Sequence, residues 1–304
     1  MRGRWTSRLR RVRWRIEAAL ARVALALARA LGPVGASGLG GAVLRGVGPW
    51  LPVSHVGRRN LALAFPERDA AWRESVLRDA WENLGRTVME LPHLTRLRRL
   101  APGEPGPGWE LAGEENLPPG PARLIFVSAH LANWETLPLA AHAVGLNMAS
   151  LYRAPDNPLV DDVLHEMRRG GVALQLFPKG SRGARQVLRH LSDGHALGLL
   201  VDQKLNEGAE LTLLGQPAMT ATGAADLALR FACPLVPARV QRLGPCHFRV
   251  ALEPPLVPPE SGDRIADGRE LSQQINDRMT AWIRERPGEW LWLHRRFPRS
   301  VYQQ

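Results

Sequence analysis

Lysine is nearly absent from this chain. Of 40 basic residues only Lys179 and Lys204 are not arginine, and with 29 acidic residues the formal charge is +11. Two cysteines, Cys233 and Cys246, make neither a disulfide framework nor a metal-type spacing, and they suit a reducing compartment. Internal repeats and low-complexity blocks are missing. So is any run of the roughly 18–20 largely uncharged residues that a spanning helix needs. The best stretch, Ile16 to Arg29, is interrupted by Glu17, Arg22 and Arg29, and the charge-free stretch after it, Ala30 to Leu44, carries five glycines and a proline. A cleavable signal peptide is not expected either, because the apolar part is broken and no clear Ala-x-Ala site follows.

What the amino-terminal region does have is basic charge and helix formers. Residues 1–15 hold seven arginines and no acid, with Trp5 and Trp14 among them. The segment from Ile16 to Arg29 is strongly helix-forming. This pattern predicts an amphipathic helix in the interface of an anionic membrane surface, with a short or tilted span as the open alternative. The expected division is a membrane-associating segment over 1–55 and a catalytic domain over 56–304. The overall charge predicts acidic partners. Nucleic acid is not among them, since the aromatics are mostly tryptophans scattered through apolar runs. A GC-rich genome also favours arginine, so most arginines carry no assignment, and a functional reading is kept for those near the motifs.

Beyond a turn-rich break at 102–108 the pattern alternates. Strands are predicted over Leu124–Val127, Met148–Tyr152, Val172–Phe177, Ala196–Val201, Leu235–Val240 and Phe248–Leu252. Helices are predicted near Glu135–Val144, Asn157–Arg169, Arg182–Leu191, Thr222–Phe231 and Arg269–Arg284. The alternation implies an α/β fold: a mixed, mainly parallel sheet covered by helices. Before the break, apolar residues at helical spacing (Val76, Ala80, Leu84, Val88, Leu91) predict a helix over 69–94.

The segment Ser128-Ala-His-Leu-Ala-Asn-Trp-Glu135 follows the first of those strands. A histidine at a strand's carboxyl end, with a carboxylate one helical turn on, suits general-base work: the carboxylate fixes the tautomer and the other ring nitrogen takes a proton. No Ser, Cys or Lys stands where it would attack, so His130 and Glu135 read as a pair that activates a substrate's own hydroxyl. A capping histidine with a solvated glutamate gives the same spacing. Other polar residues end neighbouring strands: Tyr152-Arg153, Lys179 with Arg182, and Asp202 with Lys204. Open α/β sheets place their sites at such ends, although salt bridges and helix caps would also put charges there. His142, His165, His190 and His195 lack suitably spaced carboxylates and read as structural.

His130-Leu-Ala-Asn-Trp-Glu135 resembles the His-x4-Asp/Glu box of glycerolipid-type acyltransferases, in the form found in the lipid A biosynthesis acyltransferase family. The resemblance extends through Arg59-Asn60-Leu61 with Ala64-Phe65-Pro66, Trp81-x-Asn83-Leu84-Gly85-Arg86-Thr87, Tyr152-Arg153 with Asn157-Pro158-Leu159, and Gly215-Gln-Pro-Ala218 with Thr220-Ala-Thr-Gly223. Its most specific piece is the ending Trp290-Leu-Trp292-Leu-His294-Arg295-Arg296-Phe297. The resemblance implies transfer of an acyl chain from acyl carrier protein to a hydroxyl of a lipid A precursor, at the cytoplasmic face of a bacterial inner membrane, with no metal or cofactor. It implies His130 as base and Glu135 as its orienting carboxylate. Asn133, Arg153, Lys179, Arg182, Asp202, Lys204, Arg295 and Arg296 are expected to bind substrate. For the stretch after Trp292, a membrane-interface anchor is an equal reading. Other acceptors (a glycerolipid, an ornithine lipid, a mannosylated inositol lipid) stay open. So do a metal hydrolase, for which a third ligand is missing, and a basic peripheral adaptor without catalysis.

Overall fold

The computed structural model describes residues 2–119, 122–168 and 175–303. The helices are α1 (Arg2–Val47), α2 (Ser54–Ala64), α3 (Ala70–Glu90), α4 (Leu137–Ala143), α5 (Pro158–Arg168), α6 (Ser181–Ser192), α7 (Gly223–Phe231) and α8 (Arg264–Glu285). The strands are β1 (Arg98–Arg99), β2 (Gly108–Ala112), β3 (Ile125–Ser128), β4 (Met148–Tyr152), β5 (Gln175–Pro178), β6 (Ala196–Leu200), β7 (Lys204–Leu213), β8 (Gln216–Thr220), β9 (Leu235–Gly244) and β10 (His247–Leu252).

Eight of these strands form one sheet in the order β1-β2-β10-β9-β3-β6-β4-β5, and β7 and β8 form a separate hairpin. Every neighbouring pair in the large sheet is parallel except β9 with β10. The expected mixed, mainly parallel sheet is what forms. β3 lies at its centre and is buried at all four positions. That is why its sequence reads as a continuous apolar run instead of an alternating one. Right-handed crossovers put α4 and α5 on one face and α6 and α7 on the other. Two apolar cores result: one joins Phe126, Ala140, Ala141, Val236 and Val250, and the other joins Val127, Val187, Leu197, Ala224 and Ala228.

The element expectations hold closely for β4, β6, α6 and α7. Of the third predicted strand, Val172–Leu174 lies outside the described residues, and so does Arg169 of the second helix. The strands β1, β2, β7 and β8 and the helix α2 lie outside the predicted elements, because their sequences carry no strong periodic signal. The helix-forming segment Ile16–Arg29 is part of a longer helix that runs on, with a kink at Gly32 (φ 68°), through the glycine-rich stretch to Val47. Those glycines serve a close helix crossing: a Cβ on Gly40 would sit 2.3 Å from the Gly85 carbonyl of α3. On α3 itself, Val76 and Ala80 are buried as expected. Val88, however, is 40% exposed, and the inward face of the last turns is instead Asn83, Thr87 and Glu90.

Along α1, Ala18, Leu25, Ala28 and Ala36 are buried, while Ile16, Leu20, Val23, Leu27, Leu31, Val34, Leu39, Val43 and Val47 are exposed. From Ile16 to Leu31 the second set recurs every three or four residues and forms an outward apolar stripe; past the kink at Gly32, Val34, Leu39, Val43 and Val47 add further exposed apolar surface. Against the expectation that no such run is present, the helical region Arg10–Trp50 is long and apolar enough, by length and composition, to cross a membrane, because the helix continues past Arg29 through the charge-free stretch.

Candidate active site

The pairing of β3 with β6 builds the centre of the site. Their register matches Ile125 with Leu197 and runs to Ser128 with Leu200. Carried two residues past the strand ends, the same 72-residue offset sets His130 beside Asp202. The contact is made twice. His130 Nδ1 lies 2.7 Å from Asp202 Oδ1, and the His130 backbone N–H donates to Asp202 Oδ2 at 3.0 Å. Trp290 Nε1–H donates to the same Oδ2 at 2.8 Å. Asp202 is fully buried and its carboxylate can only accept, so Nδ1 carries the proton and the neutral ring presents its lone pair at Nε2. This corrects the expected orienting group: the carboxylate bonded to the ring is Asp202, not Glu135.

Burial opposes charge on His130, yet the charge and hydrogen bond of Asp202, aided by Glu135, raise its pKa above the ordinary histidine value. Burial likewise pushes Asp202 upward, but His130 beside it holds the carboxyl well below the usual range. Trp134 stands edge-on to the imidazole at 4.9 Å and limits its rotation.

His130 opens onto a cavity of about 940 Å³. That is near the top of the size range of roughly 300–1,000 Å³ for small-molecule sites. Its apolar lining comes from both sides of the sheet: Phe126, Ala141, Gly198, Ala238 and Leu252 on the side of α4, and Val187, Leu188, Leu199, Ala224 and Leu227 on the side of α6 and α7. Glu135, Arg153, Lys179 and Lys204 line it near the strand ends. Ser128 Oγ, on the cavity wall two residues before His130, is buried and has no hydrogen-bond partner among the described residues.

The remaining expected residues fall elsewhere. Asn133 is fully buried and donates to Glu90 at 2.9 Å. Arg182 is exposed on α6 and does not line the cavity. Arg295 is exposed over the Tyr302 ring. Arg296 is fully buried, donating to Thr220 Oγ1 at 2.7 Å and to the Met219 carbonyl at 2.9 Å. Trp290 and Trp292 have no exposed surface. The carboxyl-terminal motif is therefore neither a headgroup anchor nor, at Arg296, a phosphate grip. It is a buried brace: Leu291 N–H donates to the His130 carbonyl at 3.1 Å, His294 Nε2 lies 3.2 Å from the Asp202 carbonyl, and Asn60 of α2 donates to the Trp292 and His294 carbonyls. The brace went unrecognised from sequence because its basic residues resemble a surface patch. The spacing of Trp290 and Trp292 by two, inside a motif so specific, was the available signal.

The family model described as "Bacterial lipid A biosynthesis acyltransferase" matches residues 12–299. The chain is 27% identical over 248 residues to the lipid A biosynthesis lauroyltransferase of Escherichia coli K12, covering 79% of this chain and 77% of the relative. It is 24% identical over 249 residues to the lipid A biosynthesis palmitoleoyltransferase of the same strain, covering 80% and 78%. Among solved structures, the 1-acyl-sn-glycerophosphate acyltransferase PlsC of Thermotoga maritima aligns with 82% of this chain and 99% of its own. Its TM-score is 0.37 and its identity 13%, a likeness too loose to carry an argument.

Proposed function

Because this chain belongs to the bacterial lipid A biosynthesis acyltransferase family, we propose that it moves a fatty acyl group from the thioester of acyl carrier protein to a hydroxyl of a lipid A precursor, with His130 as general base. The observation that carries this reading is the locked imidazole: Nδ1 is held by a buried carboxylate while Nε2 remains for a large cavity with a mainly apolar lining. A transfer between two lipid-bearing substrates needs apolar room at one reacting centre, and the cavity of about 940 Å³ that His130 lines supplies it.

In the reaction, Nε2 takes the proton of the acceptor hydroxyl as its oxygen attacks the thioester carbonyl. Asp202, in contact, and Glu135, across the cavity, favour the imidazolium that forms. Collapse of the tetrahedral centre breaks the C–S bond, and the imidazolium returns its proton to the leaving thiolate. Arg153, Lys179 and Lys204 face the cavity with positive charge, suited to the oxyanion or to precursor phosphates. Arg182, Arg185 and Arg189 project from the exposed side of α6 next to Lys179, a basic face for an acidic carrier protein.

The direct test offers the purified enzyme carrier-protein thioesters of graded chain length and an under-acylated lipid A precursor, with products read by mass spectrometry. No mass increase on the precursor for any chain length would sink the reading. Arg153→Lys is expected to lower transfer about tenfold, because lysine keeps the charge and loses the forked hydrogen bonds. A generic surface cation would leave full activity in the lysine variant.

The stripe on α1, with the arginines before it, supports seating at the cytoplasmic face of an inner membrane, along the surface and not across it. Membranes washed with high salt are expected to release part of the enzyme, and alkaline carbonate most of it. Retention through carbonate would favour a spanning helix.

A further inference from the structure

The loop that carries His130 is held from behind by a buried polar network that the chemistry above does not use. Ala132, two residues after His130, has a left-handed backbone (φ 48°), a conformation alanine rarely adopts and keeps only when its surroundings fix it. Both sides of that residue are fixed. Its carbonyl accepts from Asn83 Nδ2 at 3.0 Å and from Thr87 Oγ1 at 2.9 Å, and its N–H donates to the Glu289 carbonyl at 3.0 Å. Asn133, the next residue, donates to Glu90 Oε2 at 2.9 Å.

Asn83, Thr87 and Glu90 stand on one face of α3 at i, i+4 and i+7, the spacing that aligns side chains along a helix. Arg242 of β9 closes the network. It is paired with the fully buried Glu90, and its Nε–H donates to Asn83 Oδ1 at 2.9 Å. Glu90 also accepts from Ser37 Oγ of α1 at 2.6 Å. A carboxylate this deep is stable only when so fully hydrogen-bonded, and burial notwithstanding, Arg242 keeps it ionised.

We propose that Asn83, Thr87 and Glu90, with Arg242, are positioning residues for the acyl transfer: by fixing the Ala132 peptide and Asn133 they set where the His130 ring meets Asp202. The proposal rests on His130 being the base, and the test separates the two claims. The groups that face the His130 ring are Asp202 and His294 behind it and Glu135 and Lys179 toward the cavity. None is a member of the network, so substitutions in the network leave the charges around the ring in place.

Thr87→Val keeps shape and removes one donor to the Ala132 carbonyl, which stays satisfied by Asn83, and one acceptor of Arg242, which stays paired with Glu90. In the full chain this variant is expected to lower kcat about fivefold to tenfold per folded molecule, with KM for both substrates little changed. The titration midpoint of the His130 ring, followed by NMR, is expected to fall toward the ordinary histidine value. In an Asp202→Asn background the same substitution should add no further loss. Asn83→Ala, which removes the other donor and adds no charge, serves as the second variant should Thr87→Val lose fold, with the same expected fall in kcat and midpoint. If folded variants keep wild-type kcat and an unmoved midpoint, the network is structural and the proposal fails, whatever His130→Ala does. If the midpoint moves while His130→Ala remains active, the positioning stands and His130 is not the base.

Discussion

His130→Ala is expected to lower acyl transfer by at least about a hundredfold, the usual scale for losing a positioned general base. Protein abundance should barely change. The side chain contributes little to either core, and the backbone N–H that bonds Asp202 survives the substitution. The measurement is turnover at saturating concentrations of both substrates, with near-native circular dichroism as the control. An alanine variant that keeps more than about a tenth of wild-type turnover would remove His130 from the base role.

Asp202→Asn is expected to cost more than its small change in size suggests, on the order of a thousandfold or more in kcat by analogy with other carboxylate–histidine pairs. The geometry gives the reason. Two donors, the His130 N–H and Trp290 Nε1–H, point at Oδ2, so the amide oxygen of asparagine will settle there. Its NH2 then faces His130 Nδ1 and selects the tautomer with the proton on Nε2, which cannot act as base. The residual activity also carries a signed pH signature. Transfer requires the neutral imidazole, so it rises with pH through the His130 pKa and is lost as pH falls below it. Asp202 raises that pKa against the effect of burial. Without the charge, burial prevails, and the acidic limb of the pH–rate profile should move to lower pH. A limb that stays in place or moves up would show that the ring does not sense Asp202. Glu135→Gln, which leaves the tautomer-fixing bond intact, is expected to fall less than Asp202→Asn.

Much of the protein could be read before folding was considered. The continuous apolar run of β3, the helical stretches between strands, and polar residues at successive strand ends announced a parallel α/β sheet with a site along its carboxyl edge. His130, Arg153, Lys179 and Lys204 do line one cavity there. These features are local. An apolar run long enough for a strand and a polar residue at its end are fixed by neighbours in sequence, and the fold's chirality leaves few ways to assemble them.

What tertiary structure alone decided is which side chains meet. Sequence proximity paired His130 with Glu135, five positions on. The sheet pairs it with Asp202, 72 positions away, because β6 is the neighbour of β3 and their register sets the two residues side by side. Arg296 reads as a surface cation until the fold buries it against β8. Asn83, Thr87 and Glu90 break the apolar period of α3 until the His130 loop and Arg242 are packed against them. A buried polar group is stable only with its partners, and here those partners come from distant parts of the chain. Composition and spacing set the elements and the edge of the sheet that holds the site; strand order and register chose the pair at its centre.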